Sequence, residues 1–317
     1  MIINVHSHLA RKELYSDKWW DKVFEQLSIT NDIPKELIVK QTNANYFKSK
    51  INYAEAFVEV LDESGVDKAL ICGMDLGLST AGEPEWSIEE TNQWVANQAN
   101  EHPDKLIALC ALDPRRKNAI SLLEKAVSEW DMIGVKFHPT AGFYPDDPKF
   151  FPFYKKCIEL NAPIFTHTSS YSTPLMDSKY ADPVYLDGVA GKFPYLKIIM
   201  IHFGGLSWMS KCAEIMWARP NIYAEISTHQ VSALVMPEKF LKNLRWIMDL
   251  PNYFGKPLKE RIMFGSDWPY FTYAMEEKDW VEWIKNIPET AKKYNLKFTD
   301  GEIKKILGLN AKQILKL

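Results

Sequence analysis

Residues 2–8 read IINVHSH, a short apolar run that ends in two histidines. Near-continuous apolar character predicts a strand buried on both faces of a parallel sheet. Because strand side chains alternate, positions i and i+2 point the same way, so His6 and His8 share one face. The segment therefore predicts the first strand of an α/β fold, with two imidazoles at its carboxyl end.

Seven further runs of the same kind follow, each bounded by turn residues and separated by segments with helical apolar spacing. The eight runs are Ile2–Val5, Ala69–Cys72, Leu106–Leu112, Ile133–Phe137, Pro163–Thr166, Lys197–Ile201, Ile222–Ile226 and Arg261–Phe264. One helical segment, Ile88–Glu101, follows a capping-box pattern formed by Ser87 and Glu90. Eight β-then-α units predict a (β/α)8 TIM barrel. A doubly wound open sheet is the alternative, but no GxGxxG motif follows the first strand.

The 317 residues could form two domains, but α/β barrels of this length commonly form one. We expect a single domain over residues 1–317, with long insertions around residues 9–57 and 229–260. Connections that follow strands line the catalytic face of a barrel, so both insertions are expected at the mouth of the site.

The charge balance excludes some classes of partner. With 38 Lys and Arg against 41 Asp and Glu, the net charge of −3 offers no surplus of basic residues to bind nucleic acid.

No run approaches the roughly 20 apolar residues that span a bilayer, and the N-terminus does not resemble a signal peptide. The cysteines form no CxxC pair and are expected to be reduced and partly buried; they are Cys72, Cys110, Cys157 and Cys212. We therefore expect a cytoplasmic protein with a small-molecule substrate and no nucleic-acid or membrane partner.

Polar residues end several of the other apolar runs. His167 ends the fifth run, His202 ends the sixth, and Asp267 follows the eighth. Barrel enzymes place catalytic residues at the carboxyl ends of their strands. A single histidine there could be a hydrogen-bonded core residue, but four histidines and an aspartate at one end of four strands favour a functional cluster.

Four motifs together resemble the amidohydrolase superfamily: HSH at 6–8, FTHT at 165–168, IHFGG at 201–205 and FGSDWP at 264–269. More narrowly, they resemble its amidohydrolase-2 branch, which contains the aminocarboxymuconate-semialdehyde decarboxylase-like enzymes. The resemblance covers nearly the whole chain and is weakest across residues 9–57. It implies a TIM barrel of the metal-dependent hydrolase type.

The resemblance also implies a ligand set for one divalent ion: His6, His8, His167 and Asp267. Zn²⁺ fits three imidazoles and a carboxylate, and Mn²⁺ is the alternative because a carboxylate and water suit harder ions. His202 would orient or deprotonate a water bound to the metal, and Asp267 would also accept a proton.

Three further residues are candidates for substrate binding. Lys136 and His138 share a face of the fourth run, and a lysine that points into a barrel needs a charge partner or a lowered pKa. In binuclear relatives a lysine in this strand is carboxylated and bridges two metals; otherwise Lys136 is a charge partner or binds a carboxylate. His138 is either a substrate contact or a hydrogen-bonded histidine before Pro139, and Trp268 is a candidate wall of the pocket.

These features favour a metal-dependent hydrolase that acts on a small carboxylated substrate, a lactone or an amide, through a metal-activated water. The alternative is a metal-dependent non-oxidative decarboxylase of the aminocarboxymuconate-semialdehyde decarboxylase type, which shares the ligands but protonates carbon and releases carbon dioxide. A barrel that only binds a ligand is a third hypothesis, and it predicts no metal. A homodimer is the association that relatives suggest.

Overall fold

The computed structural model describes residues 1–42, 53–251, 253 and 255–317. In this part of the chain nine short strands follow one another, and every hydrogen-bonded pair is parallel. The strands are β1 (Ile3–His8), β2 (Lys68–Cys72), β3 (Leu106–Ala108), β4 (Cys110–Ala111), β5 (Val135–Phe137), β6 (Ile164–Ser169), β7 (Ile198–Gly204), β8 (Ile222–Glu225) and β9 (Ile262–Met263).

The strands close into a barrel, although hydrogen bonding divides them into the sheets β1-β2-β3 and β4 to β9. Only Leu109 separates β3 from β4, and its N–H donates to the Ile71 carbonyl at 2.9 Å, so these two strands occupy one barrel position. On the other side the Val5 N–H donates to the Phe264 carbonyl at 3.0 Å, which joins β1 to the end of β9. The predicted eight-stranded TIM barrel is confirmed, and the open doubly wound sheet is excluded.

Helices alternate with the strands, and the predicted helix Ile88–Glu101 forms with those bounds. They are α1 (Asp17–Asn31), α2 (Lys35–Thr42), α3 (Ala54–Ser64), α4 (Ile88–Glu101), α5 (Ala119–Ser128), α6 (Phe151–Glu159), α7 (Val184–Lys192), α8 (Gly205–Ala218), α9 (His229–Val235), α10 (Pro237–Asp249), α11 (Glu277–Lys285), α12 (Ile287–Lys292), α13 (Asp300–Lys304) and α14 (Asn310–Leu315). The capping box of α4 forms as predicted, because Ser87 Oγ accepts from the Glu90 N–H and the Glu90 carboxylate accepts from the Ser87 N–H.

The apolar core has two layers because strand side chains alternate. Leu70 belongs to an inner cluster to which strands around the barrel contribute, whereas its neighbours Ala69 and Ile71 belong to an outer cluster shared with the helices. With the barrel interior filled by apolar side chains, polar groups on the strands concentrate at the carboxyl ends, where the site is built.

The two long insertions contain helices rather than plain loops. The first carries α1 and α2, and the second carries α9 and α10. In the first, Tyr15, Trp19 and Trp20 form a separate buried cluster, which Tyr270 joins from the loop after β9. Residues 43–52 and positions 252 and 254 lie outside the described part of the chain.

The structure also tests the expectations about cysteines and membranes. All four cysteines are free and buried, as predicted for reduced thiols. Among the described residues, no helix combines the length and the apolar character that crossing a bilayer requires.

Candidate active site and metal centre

The predicted functional residues come together at the carboxyl end of the barrel. Each of them is at most 6% exposed: His6, His8, His167, His202 and Asp267. Buried polar groups need partners, so their mutual contacts decide what the cluster can do.

Three donor atoms converge at the centre of the cluster. His6 Nε2 lies 3.0 Å from His8 Nε2, and Asp267 Oδ1 lies 3.3 Å from His8 Nε2 and 3.6 Å from His6 Nε2. Two imidazole nitrogens and a carboxylate oxygen held this close are a donor set that suits a divalent cation. These three predicted ligands therefore fit a metal ion in both chemistry and position.

His8 is oriented from behind by a backbone carbonyl. Its Nδ1 lies 3.2 Å from the Cys72 carbonyl oxygen, which can only accept, so Nδ1 carries a proton and Nε2 faces Asp267. Burial opposes a charge on this ring, but the Cys72 sulfur and the Asp267 carboxylate raise the pKa of His8 to about 9. A metal ion at this position would displace the proton from Nε2.

His6 is in contact with the predicted barrel lysine. Lys136, on β5, is 3% exposed, and its Nζ donates to His6 Nε2 at 2.8 Å. Burial and the Lys136 charge together hold the pKa of His6 well below its usual value. Burial also lowers the pKa of Lys136 itself. The structure thus places Lys136 in the centre, against a metal-ligand candidate.

The other predicted ligand, His167, pairs with His202. Its Nδ1 lies 3.0 Å from His202 Nε2. The donor atoms of His6, His8 and Asp267 all lie within 4.8 Å of one another, and His167 does not belong to that group. His167 Nε2 is buried and has no hydrogen-bond partner, and burial lowers the pKa of the ring to about 3. A neutral imidazole with an orphaned nitrogen is suited to ligate a cation.

His138 lies beside this pair. Its ring stacks on that of His167 with centroids 4.4 Å apart, and its Nδ1 contacts Thr140 Oγ1 at 2.6 Å. Burial and the neighbouring His167 lower the pKa of His138 well below its usual value. His138 therefore lies in the same site as Lys136, as expected for two residues predicted to share a face of one strand.

The backbone that presents His202 and Asp267 is unusual. Both residues adopt left-handed conformations, with φ of 70° and 58°, and Phe203 and Gly204 continue the left-handed run after His202. A Cβ at Gly204 would lie 2.4 Å from the backbone of Trp208, so only glycine fits this turn. Such conformations persist where the surroundings enforce them, and they are concentrated at functional sites.

Two buried residues that sequence analysis missed lie behind the histidines. Glu225 ends β8, and its carboxylate accepts from the backbone N–H groups of His202 and Ser227 and from Ser227 Oγ, at 2.6–2.7 Å. Burial raises the pKa of Glu225 to about 7, against the effect of these hydrogen bonds. A glutamate at the end of an apolar run is the same signal that identified His167 and His202, and it could have found Glu225.

The predicted pocket residue Trp268 has a different position. It is 2% exposed, and its ring stacks on Phe57 of α3 with centroids 4.2 Å apart, so it packs in the helical layer. Tyr270, two residues on, lies against the metal centre instead: its ring centroid is 5.3 Å from that of His8, and its hydroxyl hydrogen-bonds to that of Tyr15. These two tyrosines form an aromatic wall beside the centre.

Comparisons with known proteins agree with this architecture. The family model for amidohydrolases matches residues 60–317. A 2-amino-3-carboxymuconate-6-semialdehyde decarboxylase from Dictyostelium discoideum is 24% identical over 252 residues, which cover 71% of this chain and 67% of that protein. A 2-keto-4-carboxy-3-hexenedioate hydratase from a Sphingobium species is 28% identical over 198 residues, 56% of each protein.

Solved structures share the fold. A TIM-barrel protein from Bordetella bronchiseptica has a TM-score of 0.67 at 19% identity, covering 99% of this chain and 98% of its own. A 5-carboxyvanillate decarboxylase from Novosphingobium aromaticivorans, in complex with manganese and 4-hydroxy-3-methoxy-5-nitrobenzoic acid, has a TM-score of 0.63 at 17% identity, covering 100% of this chain and 96% of its own.

Proposed function

Because the chain belongs to the amidohydrolase family, whose members among its relatives include a decarboxylase and a hydratase, we propose that it is a metal-dependent hydrolase of a small carboxylated substrate, a lactone or an amide. The observation that carries this proposal is the orientation of His202. Its Nδ1 lies 2.8 Å from Ser227 Oγ, and its Nε2, on the side of the metal centre, lies 3.0 Å from His167 Nδ1, so Nε2 is the acceptor nitrogen of the ring. A neutral imidazole oriented in this way serves as a base for water.

His6, His8 and Asp267 would hold one divalent ion, with His167 as the fourth ligand through its unpartnered nitrogen. Zn²⁺ suits these three imidazoles and one carboxylate, and Mn²⁺ is the alternative. When bound, such an ion polarises a substrate carbonyl and lowers the pKa of a water towards about 7.

The surrounding side chains supply the remaining steps. His202 would take one proton of the attacking water on Nε2, in exchange for the hydrogen bond that His167 Nδ1 makes there, and Asp267 would take the other proton and pass it to the oxygen or nitrogen that leaves when the lactone or amide bond breaks. Lys136 would bind the carboxylate of the substrate, since its ammonium is buried in the site, and His138 would contact the same molecule.

Non-oxidative decarboxylation is the second candidate, and a specific observation favours it. Tyr15 and Tyr270 form an aromatic wall beside His8, which suits a planar unsaturated acid, and a relative that covers 71% of the chain is a decarboxylase. In that reaction a protonated Asp267 would deliver its proton to the carbon from which carbon dioxide leaves, and the resulting carboxylate would regain a proton from water.

We also propose a cytoplasmic location, a small-molecule substrate as the partner and association as a homodimer. The four free, buried cysteines support a reducing compartment, and the near-neutral charge argues against nucleic acid as a partner. Sedimentation of the purified protein would test the dimer.

A substrate panel tests the reaction. Purified protein loaded with Zn²⁺ or Mn²⁺ would be incubated with small lactones and amides that carry a carboxylate, and with aromatic and muconate-type acids. Acid release that stops after chelation and returns with metal is the expected result, whereas carbon dioxide release would establish the second candidate. Protein that retains no metal under non-chelating preparation and turns over neither class would overturn both.

A further inference from the structure

Behind the metal centre, one serine hydroxyl contacts two imidazoles that come from different strands. Ser227 Oγ lies 3.1 Å from His6 Nδ1 and 2.8 Å from His202 Nδ1. The same hydroxyl donates to Glu225 Oε1 at 2.6 Å. Ser227 and Glu225 are both completely buried, so water does not compete for these contacts.

The number of protons on the hydroxyl determines the direction of each contact. A hydroxyl has one proton to donate and two lone pairs to accept. Both Glu225 oxygens accept backbone N–H groups, one from His202 and one from Ser227, which favours the ionised, acceptor-only carboxylate. The hydroxyl proton therefore goes to Glu225, and His202 must donate to Ser227 Oγ through Nδ1–H. His6 Nδ1 lies between two acceptors, Ser227 Oγ and Glu225 Oε1 at 3.2 Å, so it must also carry a proton.

The same count extends to the next histidine. With its proton on Nδ1, neutral His202 presents a bare Nε2, and His167 Nδ1, 3.0 Å away, must donate to it. His167 then carries no proton on Nε2, which is the buried nitrogen without a partner. Lys136 Nζ donates to His6 Nε2 at 2.8 Å, which agrees with a bare nitrogen there.

We propose that Ser227 and Glu225 are a positioning pair that fixes His6 and His202 as Nδ1-protonated tautomers, so that one hydroxyl and its carboxylate prepare both a metal-ligand nitrogen and the nitrogen that acts as base. This inference rests on the proposed function for the roles of those nitrogens, but the tautomers themselves do not depend on it. Carboxylate and hydroxyl groups behind a ligating histidine commonly tune its orientation and affinity.

The local structure keeps the pair rigid. Glu225 Oε1 accepts the N–H of His202, whose left-handed φ of 70° directs the ring towards Ser227. A Cβ at Gly265 would lie 2.1 Å from Glu225 Oε2, so the segment after β9 closes over the carboxylate only because this residue is glycine. The carboxylate therefore has little freedom to turn away from the serine.

The first test reads the tautomers directly in metal-free protein. Two-bond proton–nitrogen NMR of histidine-labelled wild type, assigned with His6→Asn and His202→Asn variants, is expected to show Nδ1-protonated rings at both positions. In Ser227→Ala the His202 ring should shift towards a mixture of tautomers, and the His6 ring should do so to a smaller extent, because Glu225 Oε1 still lies 3.2 Å from His6 Nδ1. A wild-type spectrum with either ring protonated on Nε2 alone would overturn the proposal, and this readout needs no substitution at Ser227 to fold.

The second test measures metal binding. We expect Ser227→Ala to weaken Zn²⁺ binding in calorimetry about 10- to 100-fold. Ser232→Ala is the matched control, because Ser232 is also buried and contacts a histidine, His229 Nδ1 at 3.3 Å, and it should leave Zn²⁺ binding unchanged. Unchanged tautomers and unchanged affinity in Ser227→Ala would exclude the pair as a positioning device. Wild-type protein that shows the expected tautomers but binds no Zn²⁺ would refute the proposed function alone.

Discussion

The ammonium nitrogen of Lys136 lies 2.8 Å from His6 Nε2, so a buried cation contacts one of the nitrogens that would ligate a metal. Burial lowers the pKa of Lys136, while the nearby carboxylates of Asp267 and Glu225 act in the opposite direction. A lysine and a divalent ion therefore compete for the same nitrogen, and the lysine is free to pair with a substrate anion once the ion is bound.

Replacing Lys136 should affect metal and substrate in opposite directions. In Lys136→Met the competing charge is gone, so Zn²⁺ should bind more tightly. The KM of a carboxylated substrate should rise about 30-fold or more, because leaving a buried charge without its partner costs about 2 kcal/mol or more. Chelator competition and steady-state kinetics measure the two effects.

Lys197→Met is the matched control for this experiment. Lys197 lies at the opposite end of the barrel, where its Nζ donates to the Ile314 carbonyl at 2.9 Å. It should change neither the Zn²⁺ affinity nor KM. If Lys136→Met behaves like this control, Lys136 has no part in binding either metal or substrate.

Asp267→Asn should remove activity without unfolding the protein. The amide keeps the shape of the carboxylate but not its charge, so both its contact with His8 and its capacity to carry a proton are lost. We expect kcat/KM to fall about 10³-fold or more, in the range for loss of an acid–base group, with an unchanged circular dichroism spectrum. Full activity in this variant would remove Asp267 from the mechanism. Asp62→Asn, at an exposed carboxylate paired with Lys105, is the control.

The positions of the candidate ligand residues could be predicted from sequence because they depend on a simple rule. Parallel strands buried on both faces end at one edge of the barrel, and the polar residues that end them must meet there. His6, His8 and Asp267 follow that rule, and their donor atoms converge. The Ser227 contact is beyond such reasoning, because it depends on the turn that brings a residue after β8 beneath both histidines.

The direction of a side chain in a loop also cannot be predicted from the alternation of side chains that holds in a strand. Trp268 immediately follows Asp267 and was predicted to line the pocket, yet its indole turns outward and stacks on Phe57. Tyr270 takes the place beside His8, and its position depends on contacts with the helical insertion that carries Tyr15. Single-sequence patterns do not reveal which of several neighbouring aromatic residues faces a site.

Trp268 should therefore matter for stability rather than for substrate binding. Trp268→Ala is expected to lower the free energy of unfolding by about 3–5 kcal/mol, the usual cost of removing a buried large aromatic side chain. Trp268→Phe, which keeps a ring against Phe57, should lose less stability and leave KM unchanged. Denaturant unfolding and kinetics on the same samples separate the two roles, and a large increase of KM in the phenylalanine variant would instead place Trp268 at the substrate.

The buried carboxyl group of Glu277 should make the free energy of unfolding depend on pH. This glutamate at the start of α11 is 2% exposed; Asn4 Nδ2 donates to its Oε1 at 2.9 Å, and its Oε2 has no partner. Burial raises its pKa from 4.5 to about 7, against the hydrogen bonds from Ser266 and Asn4. Between these two values the folded protein binds more protons than the unfolded chain, so this group's contribution to stability is complete below pH 4.5 and is lost as pH rises to about 7.

Glu277→Gln should abolish that dependence, since the amide is neutral at every pH. The stability of the wild type relative to the variant should fall by roughly 3 kcal/mol between pH 4 and pH 8, given 1.36 kcal/mol per pKa unit. Urea unfolding at a series of pH values measures the difference, in which the titration of all other groups cancels. Glu282→Gln, an exposed carboxylate on the same helix, should give a flat difference. A flat difference for Glu277→Gln as well would mean that the buried carboxyl titrates alike in the folded and unfolded states.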